Sequence, residues 1–397
     1  MNVLYLSKEF PPNVYGGAGV HLKNLVEAML CSCKSIVPKV ICYGSDAPNV
    51  RPPLEVYPVP FEQQAAGVNR EYADIQSHLK WANEVLSFNI DFDIIHCHTW
   101  HSLLPGILLK LLTGKPLVIT CHSIDIKRPW KRDALGVVYN YSRWIEKAAY
   151  TEADAIIAVS ETVKTDIKTY FSPSAPIYTI YNGADHLLIP TSLDTATGDT
   201  VDLERVHAPY VLFLGRLTEQ KGLDHFLDAA EMAIGSGIQF VVCAGQADSA
   251  QIELAYQQRC SALQEKGAAI LWLRNVYHPA VKAKLYEAAT AYVNPSVYEP
   301  FGLTVAEALA VGAPVILSDV CGISELLTDG ADCAMVPYTE NDRIFSKQLY
   351  DRIMEVATSE ELRQKLSKKG KETFSSLPTW RACALRHQHV YTTAIHG

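Results

Sequence analysis

The chain has 397 residues, 48% of them hydrophobic, with a formal charge of −8 and ten cysteines. That length suits two domains of ordinary size, and the acidic balance argues against a nucleic-acid partner. No apolar run approaches the roughly 18 residues of a membrane span, so no stable membrane anchor is expected.

The chain enters Val3-Leu4-Tyr5-Leu6 at once, without a basic leader. Its cysteines are scattered and form no zinc-type CxxC pair, which suits a reducing, cytoplasmic setting without disulfides. The first half alternates strand and helix. Strands are expected at Asn2–Ser7, Val37–Tyr43, Asp93–Cys97, Pro116–Cys121, Ala155–Val159 and Pro176–Tyr181. Leu22, Leu25, Val26 and Met29 mark one face of a helix after the first strand. The periodicity lapses from about Gly183 to Pro209, where Thr, Asp, Gly and Pro are frequent, and this stretch reads as a linker. The pattern restarts at Tyr210–Gly215 and continues through Ile238–Ala244, Ala269–Leu273, Ala291–Asn294, Val315–Ser318 and Ala334–Val336. A helix after Gly222 carries Leu223, Phe226, Leu227, Ala230 and Ile234 at core spacing. The fold class is therefore α/β, with two doubly wound parallel sheets. The expected domains are 1–190 and 205–378, with a tail 379–397 returning to the first.

Several stretches carry chemistry. Gly16, Gly17 and Gly19 follow the first strand, where glycines permit a tight turn against a phosphate or sugar. Their spacing is wrong for a dinucleotide fingerprint, and position 40 is Val40 rather than an acid. His96, His98 and His101 surround the end of a strand beside Trp100. A metal reading is set aside there, because alternate strand residues face opposite ways. His122 ends the next strand and precedes the basic, aromatic run Lys127-Arg128-Pro129-Trp130-Lys131, which suits a sugar or an anionic acceptor. Asp91-Phe92-Asp93 has a DxD spacing but precedes a strand, so it reads as a loop. Arg216 leaves a strand end and Lys221 begins a helix, where two cations oppose the helix dipole unless an anion lies between them.

The stretch Pro295 to Glu307 organises the second half. Glu299 falls on a strand-to-helix loop and Glu307 in the early turns of the helix. Phe301, Gly302, Leu303 and Thr304 offer amides at the helix start, a natural phosphate site. Taken singly, each of these features also reads as an ordinary core histidine, surface cation or solvated acid.

Together they resemble a family. Tyr15-Gly16-Gly17-Ala18-Gly19, His122-Ser123, Arg128-Pro129-Trp130-Lys131, Ser160-Glu161, Asn182-Gly183, Gly215-Arg216-Leu217, Gln220-Lys221-Gly222 and Pro295 through Glu307 occur in the order of the family-4 retaining glycosyltransferases. The chain is most similar to the short bacterial glycogen synthases and maltose-1-phosphate synthases. The resemblance implies the GT-B architecture, two Rossmann-like domains facing a cleft. It implies that His122, Arg216, Lys221 and Glu299 are catalytic. It implies donor contacts from Gly16, Gly17, Arg216, Lys221, Asn275, Val276, Glu299, Phe301, Gly302, Leu303, Thr304 and Glu307. Acceptor contacts fall to Glu9, Tyr15, Trp100, Arg128, Lys131 and Arg143. No metal and no cofactor is implied, the cations taking the metal's part beside a nucleotide-sugar co-substrate. The implied donor is ADP-glucose, and the implied acceptor is an α-glucan or glucose 1-phosphate. Val14 stands where the longer synthases have Lys, and Thr99 where they have Asp, as in the shorter enzymes. A family-4 transferase using a UDP- or GDP-sugar for lipid or surface glycans, and a nucleotide-sugar-binding regulator without turnover, are the alternatives. A homo-oligomer is left open.

Overall fold

Continuous apolar runs make the strands of this chain, because most are covered on both faces. The computed structural model describes residues 1–14, 16–45, 50–60, 70–132, 136–185, 203–245, 247, 250–274, 276 and 278–396. In the first half the strands are Asn2–Ser7 (β1), Val37–Tyr43 (β2), Glu55–Val59 (β3), Ile94–His98 (β4), Leu117–Cys121 (β5), Ala155–Ala158 (β6) and Ile177–Thr179 (β7). They pair in parallel in the order β3-β2-β1-β4-β5-β6-β7. The order reverses between β1 and β4, and loops from their carboxyl ends diverge there to leave a crevice. The helices are Gly17–Ser32 (α1), Arg70–Ser87 (α2), Leu103–Thr113 (α3), Val137–Glu152 (α4) and Glu161–Phe171 (α5).

The second half repeats the plan. Tyr210–Leu214 (β8), Gln239–Cys243 (β9), Ile270–Leu273 (β10), Ala291–Asn294 (β11), Val315–Ser318 (β12) and Ala334–Val336 (β13) run in parallel in the order β10-β9-β8-β11-β12-β13. Here the reversal lies between β8 and β11. The helices are Leu223–Met232 (α6), Ala250–Glu265 (α7), Pro279–Ala288 (α8), Leu303–Val311 (α9), Asp342–Thr358 (α10), Glu360–Phe374 (α11) and Trp380–His396 (α12).

The chain divides into two compact units, Met1–Gly183 with Pro378–Gly397, and Ala184–Leu377. Each has its own core. In the first, Leu22, Leu25, Val26 and Met29 of α1 meet Trp380, Cys383, Ala384 and Tyr391 of α12. Burying side chains of this size stabilises by about 1.5–3 kcal/mol each. In the second, Phe213, Phe226, Phe240 and Phe345 pack together.

Three local expectations are corrected. The edge strand β3 has no counterpart among the expected strands; it is short, contains Pro58, and only one of its five residues, Val59, is buried. Ile234 was assigned to the core face of α6, yet that helix ends at Met232 and Ile234 is exposed. Lys221 does not open a helix. It closes the 3-10 turn Glu219–Lys221, and Gly222 in a left-handed conformation separates it from α6. Most of the expected linker, residues 186–202, lies outside the described residues.

Candidate active site

The reversal between β8 and β11 explains the placement of the second-unit candidates. The loop leaving β8 carries Arg216 and Lys221, and the loop leaving β11 carries Glu299. Two contacts lace these loops together. Val297 N donates to Gln220 O at 3.0 Å, and Gly222 lies so close that a Cβ there would stand 2.0 Å from Pro295 O. The result is an ion pair between Lys221 and the buried Glu299. The Glu299 backbone is fixed in turn, its carbonyl accepting from Gly322 N at 2.7 Å. Arg216 is exposed beside them.

The helix start that follows suits an anion. Gly302 caps α9 at φ +110° without a side-chain cap, and the first turn carries no acidic residue. A Cβ on Gly302 would meet Cys321 Sγ at 2.6 Å, so only glycine fits. Phe301 is buried and its carbonyl accepts from Ile323 N at 2.7 Å, which leaves the amides of the turn set by the backbone. Thr304 Oγ1 accepts from Tyr292 Oη at 2.8 Å. Leu303 is half-buried at the first helical position. One helical turn on, Glu307 is held by Lys282 Nζ at 3.0 Å and Tyr286 Oη at 3.1 Å. Burial raises the pKa of Tyr286 well above the usual phenol range, so it is a hydrogen-bond donor. A carboxylate has about four acceptor positions, so Glu307 keeps capacity for hydroxyl donors.

In the first unit the loop after β1 is tied by Glu9, whose Oε2 accepts from Gly16 N at 2.9 Å. Gly16 caps α1 in an extended conformation and Gly17 begins it, exposed. The close approach falls on Gly19, where a Cβ would stand 2.9 Å from Glu9 Oε2. His122 follows β5, half-buried, with Nε2 3.0 Å from His98 Nδ1. His21, on α1, lies beside it with ring centroids 4.7 Å apart. Burial lowers the pKa of His21 to about 4 and drives those of His98 and His122 well below the usual imidazole value. All three are neutral at pH 7.

Trp100 stacks on His101 at 3.9 Å and meets His78 edge-on at 5.2 Å. Thr99, just before it, has φ +66° and ψ +158°, a region almost confined to glycine and strained for a β-branched residue. Such strain gathers at functional sites. Arg128 and Lys131 both pair with the buried Asp125, which also accepts from Ser142 Oγ at 2.6 Å. Arg143 lies over the Tyr139 ring at 5.7 Å, and Tyr139 Oη donates to Asp125 O at 3.0 Å. Lys127 pairs instead with Asp166 at 3.9 Å, so the basic run is held by two carboxylates.

Tyr15 and Asn275 lie outside the described residues. Val276 is half-buried after β10. Asp91 and Asp93 tie down the chain start, accepting from Asn2 Nδ2 at 2.9 Å and Asn2 N at 2.7 Å. The alternation argument fails for His96 and His98. They are two positions apart on one face of β4, with ring centroids 4.2 Å apart. Sequence reasoning missed His21, Asn182 as its partner, Lys282, Tyr286 and Asp125. Asn182 stood within a motif already singled out, and Asp125 between His122 and the basic run; His21, Lys282 and Tyr286 meet their partners across distant elements.

Models of two families match the chain, Glycosyltransferase Family 4 over residues 15–186 and Glycosyl transferases group 1 over residues 201–373. An alpha-maltose-1-phosphate synthase of Mycolicibacterium smegmatis is 34% identical over 349 residues, which cover 86% of each chain. The chain belongs to glycosyltransferase family 4. A glycogen synthase of Mycobacterium tuberculosis is 25% identical over 357 residues, covering 83% of this chain and 81% of that one. Among solved structures, the sucrose-phosphate synthase of Thermosynechococcus elongatus matches all of both chains with a TM-score of 0.79 at 20% identity. The catalytic domain of starch synthase IV from Arabidopsis thaliana matches with a TM-score of 0.72 at 17% identity, over 100% of this chain and 99% of that one. The fold of this family-4 glycosyltransferase is therefore GT-B, with two Rossmann-like domains. It is a hexosyltransferase, whose partners are a nucleotide-sugar donor and a sugar acceptor. Among the described residues no helix is long and apolar enough to cross a membrane.

Proposed function

We propose that this family-4 transferase moves glucose from ADP-glucose to the 4-hydroxyl of glucose 1-phosphate, giving maltose 1-phosphate, or of an α-glucan end, with retention. The observation that carries the transfer chemistry is the Lys221–Glu299 pair beside the uncapped start of α9. Cleaving a sugar–diphosphate bond builds negative charge on the leaving phosphate. Fixed cations and amides aimed at that charge lower the barrier, each worth about 3 kcal/mol. Lys221 and Arg216 are the cations, Gly302 to Thr304 supply amides, Glu299 holds Lys221 and meets the donor sugar, and Glu307 takes the ribose. His122, neutral, meets the donor glucose as a hydrogen-bonding group, and Val276 borders the base. No metal is needed in this reading, because the two cations neutralise the diphosphate. Retention follows if the acceptor hydroxyl attacks on the face the phosphate leaves, giving its proton to that phosphate.

The acceptor assignment draws support from the maltose-1-phosphate synthase relative and from the two cations, Arg128 and Lys131, that Asp125 holds together. Glu9, Trp100 and Arg143 belong to the same acceptor side. The cytoplasmic assignment draws support from ten free cysteines, nine of them buried.

The test offers ADP-glucose, UDP-glucose and GDP-sugars, each with glucose 1-phosphate and with glycogen. ADP-glucose with glucose 1-phosphate is expected to yield a phosphorylated α-1,4 disaccharide, read by its anomeric proton coupling. Transfer restricted to UDP- or GDP-sugars, or a β-linked product, overturns the assignment.

A further inference from the structure

His21, His98 and His122 come from α1, the end of β4 and the residue after β5. One ligand-capable nitrogen from each ring lies within 4.8 Å of the others. The His98 Nδ1 to His122 Nε2 separation is 3.0 Å. Two ring nitrogens that close share either one proton or one cation. Zinc binds imidazole nitrogen at about 2.0–2.1 Å, which sets neighbouring ligands of a tetrahedral shell about 3.3 Å apart. The pair therefore already stands near ligand spacing, and a small ring movement brings in His21.

His21 has the matching tautomer. Its Nδ1 lies 2.8 Å from Asn182 Oδ1, and an amide oxygen only accepts. The ring proton is thus on Nδ1, and Nε2 presents a lone pair. That Nε2 is buried with no hydrogen-bond partner. A partnerless buried polar atom is rare and calls for a cause. At His21 the arrangement is the one that metal-bound histidines use, with the outer nitrogen held by an oxygen that fixes ring and tautomer. His122 is half-buried, so the cluster is open on one side for a water or an anion.

We propose that His21, His98 and His122 form a site for one borderline-soft divalent cation, Zn²⁺ or Co²⁺, and that its occupancy inhibits sugar transfer by claiming His122. The inhibitory half rests on the reading of His122 as a donor-side residue; the binding half does not. Imidazole and an open fourth position favour these ions over Mg²⁺ or Ca²⁺, which take oxygen ligands.

The experiment titrates the metal-free full chain with Co²⁺ and follows the visible d–d bands of a tetrahedral site. Zn²⁺ competition gives stoichiometry and affinity. Cys31, the exposed cysteine, is changed in a Cys31→Ser control. One equivalent is expected in wild type and in the control. His21→Gln and His98→Gln, checked for fold by their far-UV spectrum and melting temperature, are expected to weaken binding by 100-fold or more. Absence of the tetrahedral spectrum in wild type, or binding within threefold of wild type in both histidine variants, overturns the site. Transfer is then assayed with whichever nucleotide sugar the chain turns over, each variant relative to its own metal-free rate. Saturating Zn²⁺ is expected to stop wild type, reversibly on chelation, and to spare His21→Gln. A saturated wild type that keeps its full rate overturns the inhibition. A different donor requirement would contradict the ADP-glucose assignment alone.

Discussion

Asp125 and Glu146 show how one residue can set a pH dependence. Both are buried, and the Asp125 amide donates to Glu146 Oε2 at 3.0 Å. Burial and the neighbouring Asp125 charge push the Glu146 carboxyl up to about 8. Burial also raises Asp125, but Arg128 and Lys131 outweigh it and hold its carboxyl below the usual range. Asp125 therefore takes the charge and Glu146 keeps a proton. A carboxyl whose folded pKa lies above its unfolded value of 4.5 binds more protons folded than unfolded. Its contribution is fully present below that value and is lost as pH rises towards about 8. The loss is of the order of a few kcal/mol. Glu146→Gln removes the ionisation and keeps the acceptor, so its melting temperature should fall less than that of wild type between pH 5 and 8. Parallel curves would refute the assignment. Arg216 and Lys221 part company in the same way. Arg216→Ala removes an exposed side chain, so stability should move by no more than about 0.5 kcal/mol while turnover falls 10²–10³-fold. Lys221→Ala should lose turnover and also about 1–3 kcal/mol, because it leaves the buried Glu299 carboxylate without its partner. Chemical denaturation beside initial rates separates the two. Arg216, Lys221 and Glu299 were legible because each lies in a short run of turn residues after a strand, and Glu307 because it falls in the early turns of the helix that follows. Glu146 carried a weaker signal, an acid on the inward face of α4 next to Ile145. Lys282 and His21 carried none, since only the fold brings them to Glu307 and His122.

At the scale of elements, two left-handed glycines shape the donor side. Gly222 turns the chain between Lys221 and α6 at φ +65°, and its missing Cβ makes room for Pro295 O. Gly222→Ala should cost about 1–2 kcal/mol for the conformation alone, with the steric conflict added. It should also displace the Pro295 loop, so faster hydrogen exchange over residues 295–307 and lower turnover are expected together. Unchanged exchange there would contradict the close packing. The strands were legible because buried parallel strands read as unbroken apolar runs, and Val37–Tyr43, Ala291–Asn294, Val315–Ser318 and Ala334–Val336 coincide with their expected limits. β3 was not, because an edge strand needs no such run and tolerates Pro58. The end of α6 was missed because Ile234 continues the helical spacing although the helix has stopped at Met232.

Across the whole molecule, α12 belongs to the unit that begins with β1. Tyr391 Oη lies 2.7 Å from His96 Nδ1 and 3.2 Å from Tyr5 Oη, inside the first core. Gly183 accepts the backbone of Trp380 so closely that a Cβ would stand 2.3 Å from its nitrogen. Deleting residues 378–397 should therefore strip protection from residues 1–183 and leave residues 203–377 protected. Hydrogen exchange read by mass spectrometry tests this, and uniform loss or no loss would contradict the division. Tyr5 and Tyr391 are 386 positions apart. A ribosome makes the first sheet early, yet that sheet waits for residues 380–396 before its histidines and the apolar side of α1 are covered. The second unit, Ala184–Leu377, is continuous in sequence and needs no later segment to complete it as a compact unit. The half made first is thus the half finished last, and for that interval the apolar side of α1 stands uncovered.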